Sequence, residues 1–241
     1  MLDITQEELA TAVGVSRSYI AGIEAGKVNP SLDVVMRISD ALGLDLELVG
    51  RRPVVIDPRS TNVVHSRCSG YVGRRLRSGG WLVAREVEIV HARSHGWIDL
   101  LAFNPVTRVL VIVEIKTRLD DLGAIERQLA WYERSAPSVA AARFGWRPSG
   151  VGSWLLLLQS DEVENAIRRD RDSLREGFRW RATDMRAVRD GTTPGTDPHR
   201  GLALIDPSSR RAEWLIPTRS DGRRSPAPYR DYADAARRLA S

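Results

Sequence analysis

Apolar and polar positions repeat along this chain with two different periods, and the change from one to the other separates two regions. Through residues 5–42 the period is helical. Thr5 and Glu8 form a Thr-x-x-Glu capping box ahead of a face of Leu9, Ala10 and Val13, which Gly14 terminates. Ser16 is placed to cap a second helix with Tyr19, Ile20 and Ile23 inward, and Gly26 ends it. Pro30 and Ser31 open a third, with Leu32, Val35, Ile38, Ala41 and Leu42 at helical spacing as far as Gly43. Two short helices joined by Gly14-Val15-Ser16 must cross steeply, so residues 1–50 are expected to form a small all-α helix-turn-helix domain.

After an expected linker at 51–60, residues 61–76 place Val64, Cys68, Val72 and Leu76 four apart, as one face of a helix would, and Gly79-Gly80 ends it. The period then becomes that of strands, at 81–90, 97–103 and 109–115, with Asn104-Pro105 turning between the last two. The third run opens all apolar, which predicts burial on both faces. A helix over 122–134 presents Leu122, Ile125, Leu129 and Tyr132, a strand follows at 153–159, and a charged helix at 161–175. Residues 181–200 and 218–230 are rich in Gly, Pro, Ser, Asp and Arg and read as loops, 202–205 with 212–216 as a late hairpin, and 231–240 as a closing helix. The expected second domain is therefore α/β with a mixed central sheet over 61–217, followed by a basic loop and helix at 218–241.

Composition narrows the classes. The only cysteine, Cys68, can form neither an internal disulfide nor a multi-thiolate zinc site. The longest apolar run, 154–158, is too short to span a bilayer, and 1–10 has no apolar signal core, so a cytoplasmic protein with no membrane partner is expected. The net charge of +5 conceals an asymmetry: residues 1–50 carry eight acids against three bases, a balance of −5, which leaves +10 on the remainder. A basic surface of that kind suits phosphate. Of 36 basic residues only Lys27 and Lys116 are lysine, so each invites a chemical reason.

Lys116 has one. On a strand, side chains two apart share a face, so Glu114 and Lys116 point together while Val113 and Ile115 enter the core. Antiparallel pairing of 97–103 with 109–115 brings Asp99 near Glu114. Buried acids are costly unless paired or bound to metal, and oxygen donors of this type suit Mg²⁺ or Mn²⁺. His95 and His91 lie nearby and read as solvated. Trp131, Trp146, Trp154 and Trp180 read as core rather than as stacking platforms.

Two family resemblances follow from these residues. Thr5-Gln6-Glu7-Glu8-Leu9-Ala10 through Gly14-Val15-Ser16 to Ile23-Glu24, then Asn29-Pro30-Ser31-Leu32, resembles the Xre/Cro family of phage-repressor-like DNA-binding domains. That resemblance implies double-stranded DNA as partner, with Ser16, Arg17, Ser18 and Tyr19 at the base-reading end of the second helix, Gln6 and Lys27 toward phosphates, and a homodimer as the usual working form. The family's opening helix has no counterpart ahead of Thr5, where only Met1-Leu2-Asp3-Ile4 stand, and an upstream start carrying it is an expectation. Gly96-Trp97-Ile98-Asp99-Leu100, Val113-Glu114-Ile115-Lys116-Thr117, and Gln128 with Trp131-Tyr132 resemble the PD-(D/E)XK nuclease superfamily, which implies a restriction-endonuclease-like fold. It further implies that Asp99 and Glu114 hold Mg²⁺ or Mn²⁺, that Lys116 serves the attacking water, and that Gln128 lies near the scissile phosphate. Members of that superfamily often add an acid from the preceding helix; 61–76 has none, so either Glu86 or Glu88 is expected in its place or the site is incomplete. Two functions are compatible with this reading: a DNA endonuclease, or an Xre-type transcriptional regulator with a catalytically inactive nuclease-like domain.

Overall fold

A computed structural model describes residues 4–28, 30–42, 63–91, 94–192, 199–218 and 227–240, and the chain divides into two compact units, Met1–Val55 and Ile56–Ser241. The expected linker at 51–60 lies outside the described residues.

The smaller unit holds α1 (Gln6–Val13), α2 (Arg17–Glu24) and α3 (Leu32–Ala41). Thr5 and Glu8 close the capping box on α1, and Gly14 ends that helix with φ 71, a left-handed position that glycine occupies without penalty. Ser16 caps α2 through the Tyr19 N–H, and Ser31 caps α3 through the Val34 N–H. Leu9, Ala10, Val13, Ile20 and Val34 form the core. The spacing points to Val35 where the structure buries Val34, which lies four residues before Ile38 and eight before Leu42, both packed on the same core. Arg37 locks the corner by donating to the Val13 carbonyl at 2.7 Å.

The larger unit is built on one five-stranded mixed sheet in the order β1 (Leu82–His91), β2 (Ser94–Phe103), β3 (Val109–Lys116), β4 (Gly150–Leu158) and β5 (His199–Ile205). The first three strands are antiparallel, and β3, β4 and β5 run parallel. Apolar side chains cover both faces, as the unbroken run in β3 requires. On one face lies α4 (Val63–Ser78), whose Val64, Cys68, Val72 and Leu76 are all fully buried, together with α8 (Ala182–Arg189) and α9 (Tyr232–Ala240). On the other lie α5 (Leu122–Phe144), α6 (Asp161–Arg169) and α7 (Arg171–Gly177).

Four expectations are corrected. The helix after β3 does not stop at 134: it runs to Phe144 through Pro137, with Ala136 and Ala140 fully buried and Val139 and Phe144 packed on the same core, burial that offsets part of the proline penalty of ~3 kcal/mol. The charged helix at 161–175 is two, broken at Asp170 (φ −100, ψ 22). The region read as a loop at 181–200 contains α8, whose Ala182, Met185 and Val188 are fully buried at helical spacing. The late hairpin reduces to a single antiparallel bridge, Leu204↔Ile216, and β5 instead pairs parallel with β4. The closing helix belongs to the same unit, with Ala235 in the core beside α4; residues 219–226 of the expected basic loop lie outside the described residues.

One local feature positions the site. Between Arg85↔Leu100 and Val87↔Ile98 the β1–β2 ladder skips a pair, leaving Glu86 opposite Asp99, and Glu86 has φ 50. The alternation inverts there: Ile98 packs on the α5 side, yet Leu100 packs on the α4 side and Leu101 again on the α5 side. A left-handed non-glycine residue is costly and persists only where its surroundings dictate it. Here it lies beside the candidate carboxylates.

Candidate active site

Asp99 on β2 and Glu114 and Lys116 on β3 lie where the β2–β3 ladder ends. The β2–β3 ladder runs from Phe103↔Leu110 to Leu100↔Val113, so Asp99 and Glu114 are the next residues along each strand. Beyond that point the acceptor for the Ile115 N–H is no longer a β2 carbonyl but the Asp99 side chain, whose Oδ2 takes it at 2.7 Å. A carboxylate thus finishes the ladder, which keeps a strand donor satisfied and fixes the acid at the sheet edge.

Glu114 is 3% exposed at its side chain. Its Oε1 accepts from Lys116 Nζ at 2.7 Å, the two side chains sharing one face as the two-residue spacing requires. Its Oε2 is buried and takes no hydrogen bond among the described residues. Burial, then repulsion from Asp99, pushes the Glu114 carboxyl up to about 7, against the pull of Lys116. Burial opposes the charge on Lys116, but the Glu114 carboxylate holds its ammonium above the ordinary lysine value. Lys116 keeps a third of its side chain exposed.

The fourth group comes from α4. His65 Nε2 stands 3.1 Å from Asp99 Oδ2. Burial works against its charged form, yet the bond to Asp99 and the field of both acids raise it above the usual histidine value. The sequence pattern of α4 holds no acid and does not by itself mark the histidine. The available signal was position: His65 follows Val64, the first residue of the buried stripe, so it lies on the shoulder of the helix that faces the sheet.

Gln128 and Glu86 stand apart from the acids in different ways. Gln128 gives its Nε2–H to Tyr132 Oη at 2.8 Å, and Tyr132 donates in turn to the Trp97 carbonyl at 2.8 Å. That chain clamps α5 to β2 two residues before Asp99. Gly96 makes room for it, since a Cβ there would stand 2.8 Å from Tyr132 Oη and 2.7 Å from the Trp131 ring. Burial pushes the Tyr132 hydroxyl up to about 12, with the negative site adding to the shift, so it remains a donor. Glu86 is exposed opposite Asp99, and Glu88 pairs with His95 at 2.8 Å. Among the described residues no three His, Cys, Asp or Glu side chains gather closely enough to hold a metal ion, so neither Glu86 nor Glu88 completes a carboxylate trio. A two-carboxylate donor set still fits Mg²⁺, which keeps several waters and shares substrate phosphates, and the buried, unbonded Glu114 Oε2 is the atom such an ion would satisfy.

In the smaller unit, Ser16, Arg17 and Ser18 are exposed at the start of α2, with Tyr19 half-buried behind them. Ser16 Oγ lies 3.0 Å from Ser18 Oγ, and Arg17 stands 3.9 Å from Glu7. Lys27 is exposed beyond the end of the helix. Gln6 donates to Glu24 at 2.7 Å, tying α1 to α2. Among the described residues no helix is long and apolar enough to cross a membrane.

Comparison with known proteins bears on the smaller unit. A profile described as helix-turn-helix matches residues 1–49. Over 42 residues, 17% of this chain, the sequence is 52% identical to an uncharacterized HTH-type transcriptional regulator of Methanothermobacter thermautotrophicus, spanning 61% of that protein. A protein of the same description from Methanocaldococcus jannaschii is 44% identical over 45 residues, 68% of its own length, and one from Archaeoglobus fulgidus is 44% identical over 45 residues, 63% of its length. The chain therefore spans between 61% and 68% of the curated relatives it matches.

Proposed function

Because the chain belongs, through residues 1–49, to the helix-turn-helix family of HTH-type transcriptional regulators, we propose that it binds double-stranded DNA through α2 and that its larger unit is a divalent-cation-dependent phosphodiesterase of the PD-(D/E)XK type. The observation that carries the second half is the junction of Asp99, Glu114 and Lys116 at one sheet edge, with a buried carboxylate oxygen left unbonded. A buried acceptor without a hydrogen bond costs ~1–3 kcal/mol, a cost that a bound cation would offset.

Asp99 and Glu114 would hold the ion. When bound, a divalent cation would supply Lewis acidity to a phosphodiester and acidify a neighbouring water. The chain's own residues do the rest. Lys116, pinned at 2.7 Å to Glu114 and exposed on its far side, directs a compact positive charge to where an attacking water and the developing phosphate charge would lie. The Gln128–Tyr132–Trp97 chain holds β2 in place beneath them. At the other unit, Arg17, Ser16 and Ser18 offer hydrogen bonds to base edges, while Lys27 suits phosphate. The acidic balance of residues 1–50 leaves non-specific affinity to the basic larger unit, Ile56–Ser241, whose 31 basic residues against 23 acids give +8.

Incubation with supercoiled plasmid tests the reading. Nicking that requires Mg²⁺ or Mn²⁺ and vanishes in Lys116→Met is expected. Absence of cleavage under every metal, with salt-sensitive and Arg17-dependent binding to a palindromic DNA retained, would leave a regulator whose larger unit is catalytically inert.

A further inference from the structure

The hydrogen-bond pattern around Asp99 contains more than a metal ligand. Its two oxygens are treated differently. Oδ2 is shared by the Ile115 N–H at 2.7 Å and by His65 Nε2 at 3.1 Å, whereas among the described residues Oδ1 takes no hydrogen bond. Glu114 shows the same division, with Oε1 held by Lys116 and Oε2 unbonded. Each acid therefore has one oxygen fixed by the protein and one left over. The fixed oxygens are bonded by two donors from the backbone and α4 in one case and by the ammonium in the other.

We propose that His65 is the positioning residue for Asp99: by donating to Oδ2 from the α4 side while Ile115 donates from the strand, it locks the carboxylate rotation and reserves Oδ1 for the cation. The inference rests on the cation-binding reading above. Three features of the chain support a donor here rather than another ligand. A third acid at residue 65 would add repulsion to two carboxylates that already repel, and a histidine relieves it. The side chain is one-third exposed, and its carboxylate partner 17% exposed, so the bond lies partly shielded and is stronger than one in open water. Val64 and Cys68 are fully buried, so α4 is fixed against the sheet and delivers the imidazole from a rigid element. Groups that orient a metal's ligands are worth ~10–100-fold in affinity.

The test measures Mn²⁺ affinity of the full chain by calorimetry, with pulsed electron paramagnetic resonance of the bound ion in the wild type. His65→Ala is expected to weaken Mn²⁺ binding by ~10-fold or more. His65→Gln, whose amide Nε2–H can occupy the same place, is expected to restore it to within ~3-fold of wild type. The wild-type spectrum is expected to lack the nitrogen coupling of a directly bound imidazole. Strong nitrogen coupling would make His65 a ligand and overturn the proposal, as would unchanged affinity in His65→Ala; the cation-binding reading survives both results. A wild-type protein that binds no Mn²⁺ would remove that reading and this inference together. Because the spectrum needs only the native protein, a poorly folding variant does not block the decision.

Discussion

Glu114→Gln is expected to raise the melting temperature of the larger unit at pH 8 by roughly 3–6 °C while abolishing metal-dependent cleavage. The wild-type carboxyl is pushed from its ordinary value of 4.5 up to about 7 by burial first and by Asp99 second. Below pH 4.5 the acid is protonated in folded and unfolded chains alike, and the fold loses nothing. As pH rises from there, the unfolded chain releases the proton first, so stability drains away until the folded group also ionises near pH 7. At pH 8 the whole difference is felt, on the order of 3 kcal/mol. The amide carries no charge to desolvate, yet its oxygen can still accept from Lys116, so a net gain of about 1–2 kcal/mol is expected once the weaker bond to the ammonium is counted. His65 slopes the same way, since a histidine raised in the fold stabilises at low pH and loses that contribution as pH rises through its folded value. Thermal denaturation across pH 4–9 checks this: the gain should grow from near zero at acid pH. A variant less stable than wild type throughout would show that the buried acid serves the fold and not a ligand.

The second large effect separates two duties of Asp99. Asp99→Ala removes the acceptor of the Ile115 N–H at the end of the ladder and should cost about 2 kcal/mol. Asp99→Asn keeps an acceptor at that place and should recover most of the loss. Cleavage should fall by about three orders of magnitude or more in both, because several kcal/mol of Lewis-acid stabilisation depend on the charge rather than on the hydrogen bond. Denaturant titration and plasmid nicking on the same two variants give the comparison. Equal activity in Asp99→Asn and wild type would mean that the aspartate only closes a strand.

The parts of this site that could be read in the chain were those set by strand and helix period. A two-residue alternation put Glu114 with Lys116 and sent Val113 and Ile115 inward, and the antiparallel step through Asn104-Pro105 set Asp99 against Glu114. The four-residue stripe of α4 likewise became a buried face. The missing parts depended on tertiary approach. His65 is one step off the stripe, and nothing local says that this shoulder meets a strand end. Tyr132 was visible as an inward residue, but its bond to the Trp97 carbonyl required knowing how closely Gly96 lets α5 approach. The inversion of alternation at Glu86 and Asp99 breaks the very rule by which strands are read. α8 was hidden by the charged residues between Ala182, Met185 and Val188.

Calorimetric titration of Mg²⁺ or Mn²⁺ into wild type and into the Asp99→Asn, Glu114→Gln double variant probes the two carboxylates most directly. One ion site with measurable affinity in the wild type, and none in the double variant at the same folded content, is the predicted result. Identical titrations for the two proteins, whether both bind or neither does, would contradict it.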